Sequence, residues 1–112
     1  MERIKVSFND ESVLDYCNIM GYHYREEVPV QYLLSMLREF SSFSQFRGKK
    51  IKQIKSEFEQ TERIMTLENY SAELECLNTE RNLGNTFYEY QFKLYKKHKV
   101  IAKIVAEFSV EQ

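Results

Sequence analysis

The stretch VIAKIVAEFSV, residues 100–110, sets Val100, Ala102, Ile104, Ala106, Phe108 and Val110 on one face and Lys103, Glu107 and Ser109 on the other. Such a period of two is satisfied only by an extended chain, in which successive side chains point to opposite sides. A helical period would scatter the same residues around an axis. The segment is therefore a long strand with one apolar face, and the rest of the chain has to supply neighbours for its edges and a cover for that face.

The same period recurs upstream. Tyr88, Tyr90, Phe92 and Leu94 alternate with Glu89, Gln91 and Lys93, and residues 96–99 join this run to the last one as a hairpin. Tyr70, Ala72, Leu74 and Cys76 alternate with Ser71, Glu73 and Glu75, and Leu83-Gly84 marks the turn that follows. Ile54, Ser56 and Phe58 alternate with polar residues after Ile51, and Ile4, Val6 and Phe8 do so at the start of the chain.

Two segments break the pattern. Residues 9–12 offer helix caps and early acids, and Val13, Leu14, Cys17 and Met20 then fall at helical spacing up to Gly21, a C-terminal stop. Pro29 suits a first helical position, and Val30, Leu33, Leu34, Leu37 and Phe40 form an apolar stripe that Met36 and Phe43 broaden. This predicts a long, largely buried second helix, with SSFSQFRGKK as its frayed end and a turn at Gly48. Strand, helix, apolar helix and an antiparallel meander of four strands make an α+β fold, with the helix on one face of a sheet that curls around it.

Composition narrows the function classes. At 112 residues, 43% apolar and with three Gly and one Pro, the chain has enough apolar matter for one core. The net charge is −1, and Lys93, Lys96, Lys97, Lys99 and Lys103, with His98 among them, crowd one hairpin tip near Glu89 and Glu107. That cluster reads as a solvated turn, because a surface that tracks phosphates carries a clear basic excess, so no nucleic-acid partner is expected. Cys17 and Cys76 lie far apart among apolar neighbours, without zinc spacing, and read as two buried thiols in a reducing compartment. MERIKVSFND alternates and holds no long apolar run, so neither a signal peptide nor a membrane span is expected, and the cytoplasm is the expected compartment. No metal or cofactor motif appears.

The order of elements resembles the hot-dog fold, a long central helix wrapped by a curved antiparallel sheet, over residues 1–112 as a single hot-dog-like domain. The segments VLDYCNIMG, VPVQYLLSML, SEFEQTERIMTLENYSAELECLN and FYEYQFKLY-KKHK-VIAKIVAEFSV resemble, in spacing and apolarity, the MaoC-like dehydratase group of that fold. The resemblance implies acyl-thioester chemistry on acyl-CoA or acyl-carrier-protein substrates, no cofactor, and a homodimer or a heteromeric pair with another hot-dog protein. It also implies edge-to-edge pairing of sheets, with the strand around residues 88–94 or its neighbours as the edge and the site between protomers.

Hydratases of the group carry an Asp and, a few residues on, a His in the loop after the first helix. Here Gly21 is followed by Tyr22 instead of Asp, and no His stands among residues 25–28. His23 is out of register. His23 with Glu26 or Glu27 is the substitute acid–base candidate, with Tyr22, Tyr24, Gln31 and Met36 as substrate-binding candidates. Each also has a plain structural reading: His23 as a solvent-side loop residue, Tyr22 and Tyr24 as lids on the core with hydroxyls toward water, and Met36 as core filler. The lost Asp/His pair resembles the non-catalytic N-terminal half of duplicated MaoC proteins, which implies acyl-thioester binding with weak or no hydratase activity. The alternatives are a non-enzymatic dimeric scaffold, an active enoyl-thioester hydratase or thioesterase, and a different α+β cone of the cystatin-like or NTF2-like kind.

Overall fold

The computed structural model describes residues 1–111. Five strands, β1 (Glu2–Ser7), β2 (Ile51–Gln60), β3 (Asn69–Asn82), β4 (Asn85–Lys96) and β5 (Lys99–Glu111), form one antiparallel sheet in the order β1-β3-β4-β5-β2. Its extents of 44 × 32 × 22 Å leave room for the sheet and one further layer, since each layer is about 10 Å thick. That layer is helix α1 (Asp10–Met20) and two 3₁₀ segments, Val30–Glu39 and Ser41–Phe46.

The period-two runs become the concave face. Tyr70, Ala72 and Leu74 of β3, Tyr90, Phe92 and Leu94 of β4, and Ala102, Ile104, Ala106, Phe108 and Val110 of β5 are all buried. One residue of the last run is displaced. Leu94 pairs with Ala102 but Tyr95 pairs with Val100, so Ile101 is an extra residue in β5. This bulge buries Ile101 beside Ala102 and turns Val100 outward. Ile54, placed inward by its spacing, is 47% exposed. β2 likewise changes register between Gln53 and Lys55.

Helix α1 is capped as its sequence indicates. Asn9 accepts a hydrogen bond from the Ser12 amide at 3.0 Å, and Gly21 closes the helix at φ 76°. Val13 and Cys17 face inward while Met20 is half exposed, so the buried stripe is narrower than the apolar pattern suggested.

The central element differs from the expected long helix. Residues 30–39 wind as 3₁₀, Phe40 is extended at ψ 132°, and residues 41–46 begin a second 3₁₀ segment where a frayed end was expected. With three residues per turn, the columns Val30-Leu33-Met36 and Leu34-Leu37-Phe40 face the sheet, and Ser35 and Arg38 face out. Ser35 and Ser44 hydroxyls donate to the carbonyls three residues back, at 2.6 and 2.5 Å, which favours the tighter winding. Phe40 and Phe46 are 1% and 4% exposed, and Phe40 packs edge-on against Phe92 at 5.9 Å. α1 joins this layer through Tyr16 against Tyr32 at 5.3 Å.

Two further expectations need correction. β4 lies in the middle of the sheet, so residues 88–94 supply no edge. Cys76 is exposed, on the part of β3 that runs past its pairing with β1, whereas Cys17 is buried.

The Asn82–Asn85 turn places Leu83 at φ 49° and Gly84 at φ 83°. Both values are left-handed, as a type I′ hairpin requires, and Leu83 is 94% exposed, so it contributes no burial in exchange. A leucine in that region costs about 1 kcal/mol that an asparagine largely avoids. Leu83→Asn is expected to raise the stability by about that amount in chemical denaturation; an unchanged midpoint would contradict this turn.

The second 3₁₀ segment is anchored by Glu2. Its carboxylate accepts from the Ser41 amide, the Ser41 hydroxyl and the Ser42 amide, each at 2.9 Å. The amides of Ser42 and Ser41 hold this carboxyl at about 2, below its ordinary 4.5. Because the folded value is the lower, the contribution is complete above the unfolded value and is lost as pH falls toward about 2. Glu2→Gln should therefore melt below the parent at neutral pH, and the two melting temperatures should converge between pH 4.5 and 2. A constant gap across that range would count against the anchor.

Candidate functional site

The loop of residues 21–29 follows the α1 cap and ends at Pro29, which opens the central segment. A second connector, residues 61–68, lies beside it. Val28 donates its amide to the Ile64 carbonyl at 2.6 Å, Thr66 donates its amide to the Glu26 carbonyl at 3.0 Å, and Glu27 pairs with Met65. Ile64 and Thr66 are buried while Arg63 and Met65 are turned to the other side. A short antiparallel ladder thus fixes the loop from behind.

Glu26 sits at φ 61°, a left-handed backbone that an L residue adopts at a cost of about 1–2 kcal/mol. Its carbonyl also accepts from the Thr66 hydroxyl at 3.3 Å, which pins the conformation. Tyr24 continues the clamp: its hydroxyl donates to Asp10 of α1, and its oxygen lies 3.2 Å from the Thr66 hydroxyl oxygen. It ties the loop to α1 and does not point its hydroxyl into open water.

In front of this ladder is a cavity of about 470 Å³, lined by Tyr22, His23, Arg25, Glu27, Gln31 and Arg63, with Cys17, Pro29 and Met65 as its less polar part. Of the candidates read from the sequence, Tyr22, His23, Glu27 and Gln31 meet here. Glu26 and Tyr24 hold the loop instead of lining the cavity. Met36 is half buried against the core and borders a separate groove with Ile4, Tyr32 and Glu39.

The electrostatics argue against an acid–base pair. The Glu27 carboxylate is paired with the Arg63 guanidinium at 3.3 Å, and His23 makes no hydrogen bond among the described residues. An imidazole without a partner to orient it is poorly placed to take a proton from water. Burial pushes the Cys17 thiol up, away from the thiolate that a nucleophile needs. Among the described residues no three His, Cys, Asp or Glu side chains gather to hold a metal, and no helix is long and apolar enough to cross a membrane. Arg63 was missed by sequence reasoning, and Met65, read from the sequence as core filler whose soft side chain would suit an acyl tunnel, lines the cavity. The signal for Arg63 was the alternation of Arg63, Ile64, Met65 and Thr66, too short to separate from a plain connector.

The comparisons agree with this architecture. Protein VraC of Staphylococcus aureus strain COL is 26% identical over 107 residues, covering 96% of this chain and 88% of that protein. The crystal structure of HtdX from Mycobacterium tuberculosis superposes on the whole chain with a TM-score of 0.87 at 14% identity, and the chain spans about half of HtdX, 49% of its length. The C-terminally truncated HadBC (3R-hydroxyacyl-ACP dehydratase) complex of the same organism covers 95% of this chain and is covered over 90% of its own, with a TM-score of 0.74 and 9% identity. At such identities these likenesses establish the fold, and the hot-dog arrangement expected from the sequence holds. The family is set by a different match: the family model described as uncharacterised conserved protein VraC fits residues 1–111, and the chain belongs to that family.

Proposed function

We propose that this chain is a hot-dog protein that binds an acyl thioester, carried by CoA or by an acyl-carrier protein, and turns it over weakly or not at all. The observation that carries this reading is the state of the cavity. Its carboxylate is ion-paired with Arg63 and its imidazole has no carboxylate partner, while donors that could hold a carbonyl remain. Tyr22, Arg25 and Gln31 supply those donors at the rim, and Cys17, Pro29 and Met65 offer an apolar part for the start of an acyl chain. The neighbouring structures support the substrate class by analogy of fold alone. The alternative, an enoyl-thioester hydratase or a thioesterase using His23 with Glu26 or Glu27, needs Glu27 freed from Arg63 and His23 brought onto a carboxylate.

Melting curves with a panel of acyl-CoA thioesters of increasing chain length test the reading. A ligand at a hundred times its dissociation constant adds about 2.7 kcal/mol, a rise on the order of 10 °C for a domain of this size. Arg25→Gln with Gln31→Ala should reduce that rise, and His23→Ala should leave it. No rise with any thioester, free or on a carrier protein, would sink the proposal. Enoyl-CoA hydration that disappears in His23→Ala/Glu26→Gln would establish the enzymatic alternative instead.

The same reading includes pairing with a second hot-dog unit, either another copy or a related chain. β1 pairs only with residues 69–74 of β3, so residues 75–82 have no strand on their outer side among the described residues. Such an edge invites a further strand. That HtdX is about twice as long, and that HadBC is a complex, favour two units as the working assembly. Sedimentation should show a dimer, alone or with its partner. Leu77→Lys with Thr79→Lys, both on that free stretch, should give a folded monomer. A double variant that sediments as the parent does would place the contact elsewhere.

A further inference from the structure

At the far end of the central segment lies a second recess, of about 400 Å³, lined by Arg38, Phe43, Phe46, Arg47, Lys49 and Ile51. It is separate from the loop cavity: that one opens at the first residues of the 30–39 segment, this one at its last turn and at the turn of residues 47–49. No carboxylate lines it.

The cations around this recess have no carboxylate in ion-pair contact among the described residues. Residues 40–56 contain no Asp or Glu and five basic residues, Arg47, Lys49, Lys50, Lys52 and Lys55, in a protein whose net charge is −1. Several cations elsewhere have carboxylates close by: Arg3 has Glu73, Arg63 has Glu27, Lys96 has Glu68 and Lys99 has Glu62, and within the stretch Lys55 has Glu57. The side chains of Arg38, Arg47 and Lys49 make no ion pair or hydrogen bond among the described residues. Three cations around one recess repel one another, an arrangement that an anion would relieve.

The recess is also shaped. Gly48, at φ 79°, turns the chain so that Arg47 and Lys49 flank it, and the Arg47 and Lys49 amides are fixed to the Ser44 and Phe46 carbonyls at 3.1 and 3.0 Å. Its floor is aromatic: Phe43 and Phe46 pack edge to face at 5.0 Å, with Ile51 beside them. Two guanidinium forks suit the oxygens of a phosphate, and Lys49 adds a point charge. An apolar floor under such a rim suits an organic body attached to the phosphate, and a recess of this size falls within the range of small-molecule sites.

We propose that Arg38, Arg47 and Lys49 form a binding site for a soluble, phosphate-bearing organic molecule whose apolar or aromatic part rests on Phe43 and Phe46. The site shares no residue with the loop cavity.

Titration of the full chain with ADP, inorganic pyrophosphate and adenosine, followed by heteronuclear NMR, tests it. ADP is expected to bind more tightly than pyrophosphate, adenosine not to bind, and the shifts to centre on Phe43, Phe46 and residues 47–49. Each neutralised cation should weaken ADP by about tenfold, so Arg47→Gln alone reports the effect if Arg38→Gln/Arg47→Gln/Lys49→Gln folds poorly. His23→Ala should leave ADP affinity unchanged, which separates this site from the loop cavity. The proposal is overturned if ADP causes no shift, if the shifts map to the hairpin of residues 93–103, or if affinity survives the substitutions. Capture of the chain by phosphatidic-acid vesicles without any binding of ADP would likewise overturn it, in favour of a membrane surface.

Discussion

Everything in this fold depends on covering one concave apolar face with very little chain. β3, β4 and β5 present Leu74, Phe92, Leu94, Ile104 and Ala106 to a layer made of α1 and residues 30–46. Leu33, Leu37, Phe40 and Phe46 do much of that covering, and each is almost fully buried. Burying such side chains contributes roughly 1.5–3 kcal/mol apiece. A 3₁₀ helix rises about 2 Å per residue where an α-helix rises 1.5 Å, so the same residues reach further along the sheet. The extended joint at Phe40 stretches the element again before Phe46 is set down. Both cavities follow from that geometry, one where the chain enters the layer at Pro29 and one where it leaves at Arg47.

The strands were legible in the sequence because their period is set by geometry that no neighbour can change. Val6, Tyr70, Leu94 and Phe108 point where alternation puts them. What alternation does not carry is register. The bulge at Ile101 and the run of β3 beyond β1 depend on how far each partner extends, and this is why Val100 and Cys76 fell on the wrong side of the expectation. The central helix failed for another reason. The apolar positions 33, 37 and 40 satisfy an α-helical stripe and two columns of a 3₁₀ helix equally well, so pattern alone cannot choose between them. The serine hydroxyls that donate three residues back favour the 3₁₀ form, and a hydropathy pattern does not contain them.

The site was legible in part. Gly21 and Pro29 framed the loop correctly, and Tyr22, His23, Glu27 and Gln31 converge on one cavity. Their roles depend on a segment some forty residues away. Arg63 takes the carboxylate of Glu27, and Thr66 fixes the strained carbonyl of Glu26. Neither contact has a local signature, because each arises from a ladder between two connectors. A reading from the loop alone therefore sees three acid–base groups, while the folded chain has one exposed imidazole, one ion-paired carboxylate and one carboxylate whose backbone serves as a clamp. Likeness of fold at 14% identity fixes where such a loop lies and leaves its chemistry to these contacts.

Composition misled in a related way. A net charge of −1 with near-equal numbers of acids and bases describes a well-mixed surface. The fold sorts those charges instead. Carboxylates from the 61–68 connector and from β3 are spent on cations at the hairpin tip and at the outer face of the sheet, where Glu73 lies under Arg3 and Tyr95. Within the acid-free stretch of residues 40–56, Lys55 reaches Glu57, but around the turn at Gly48 no carboxylate pairs with Arg47 or Lys49 among the described residues. A cluster with its own counter-ions, such as Lys96 and Lys99, explains itself as a solvated turn. The three cations above Phe43 and Phe46 do not, so the weaker-looking basic segment of the sequence is the one that calls for a ligand.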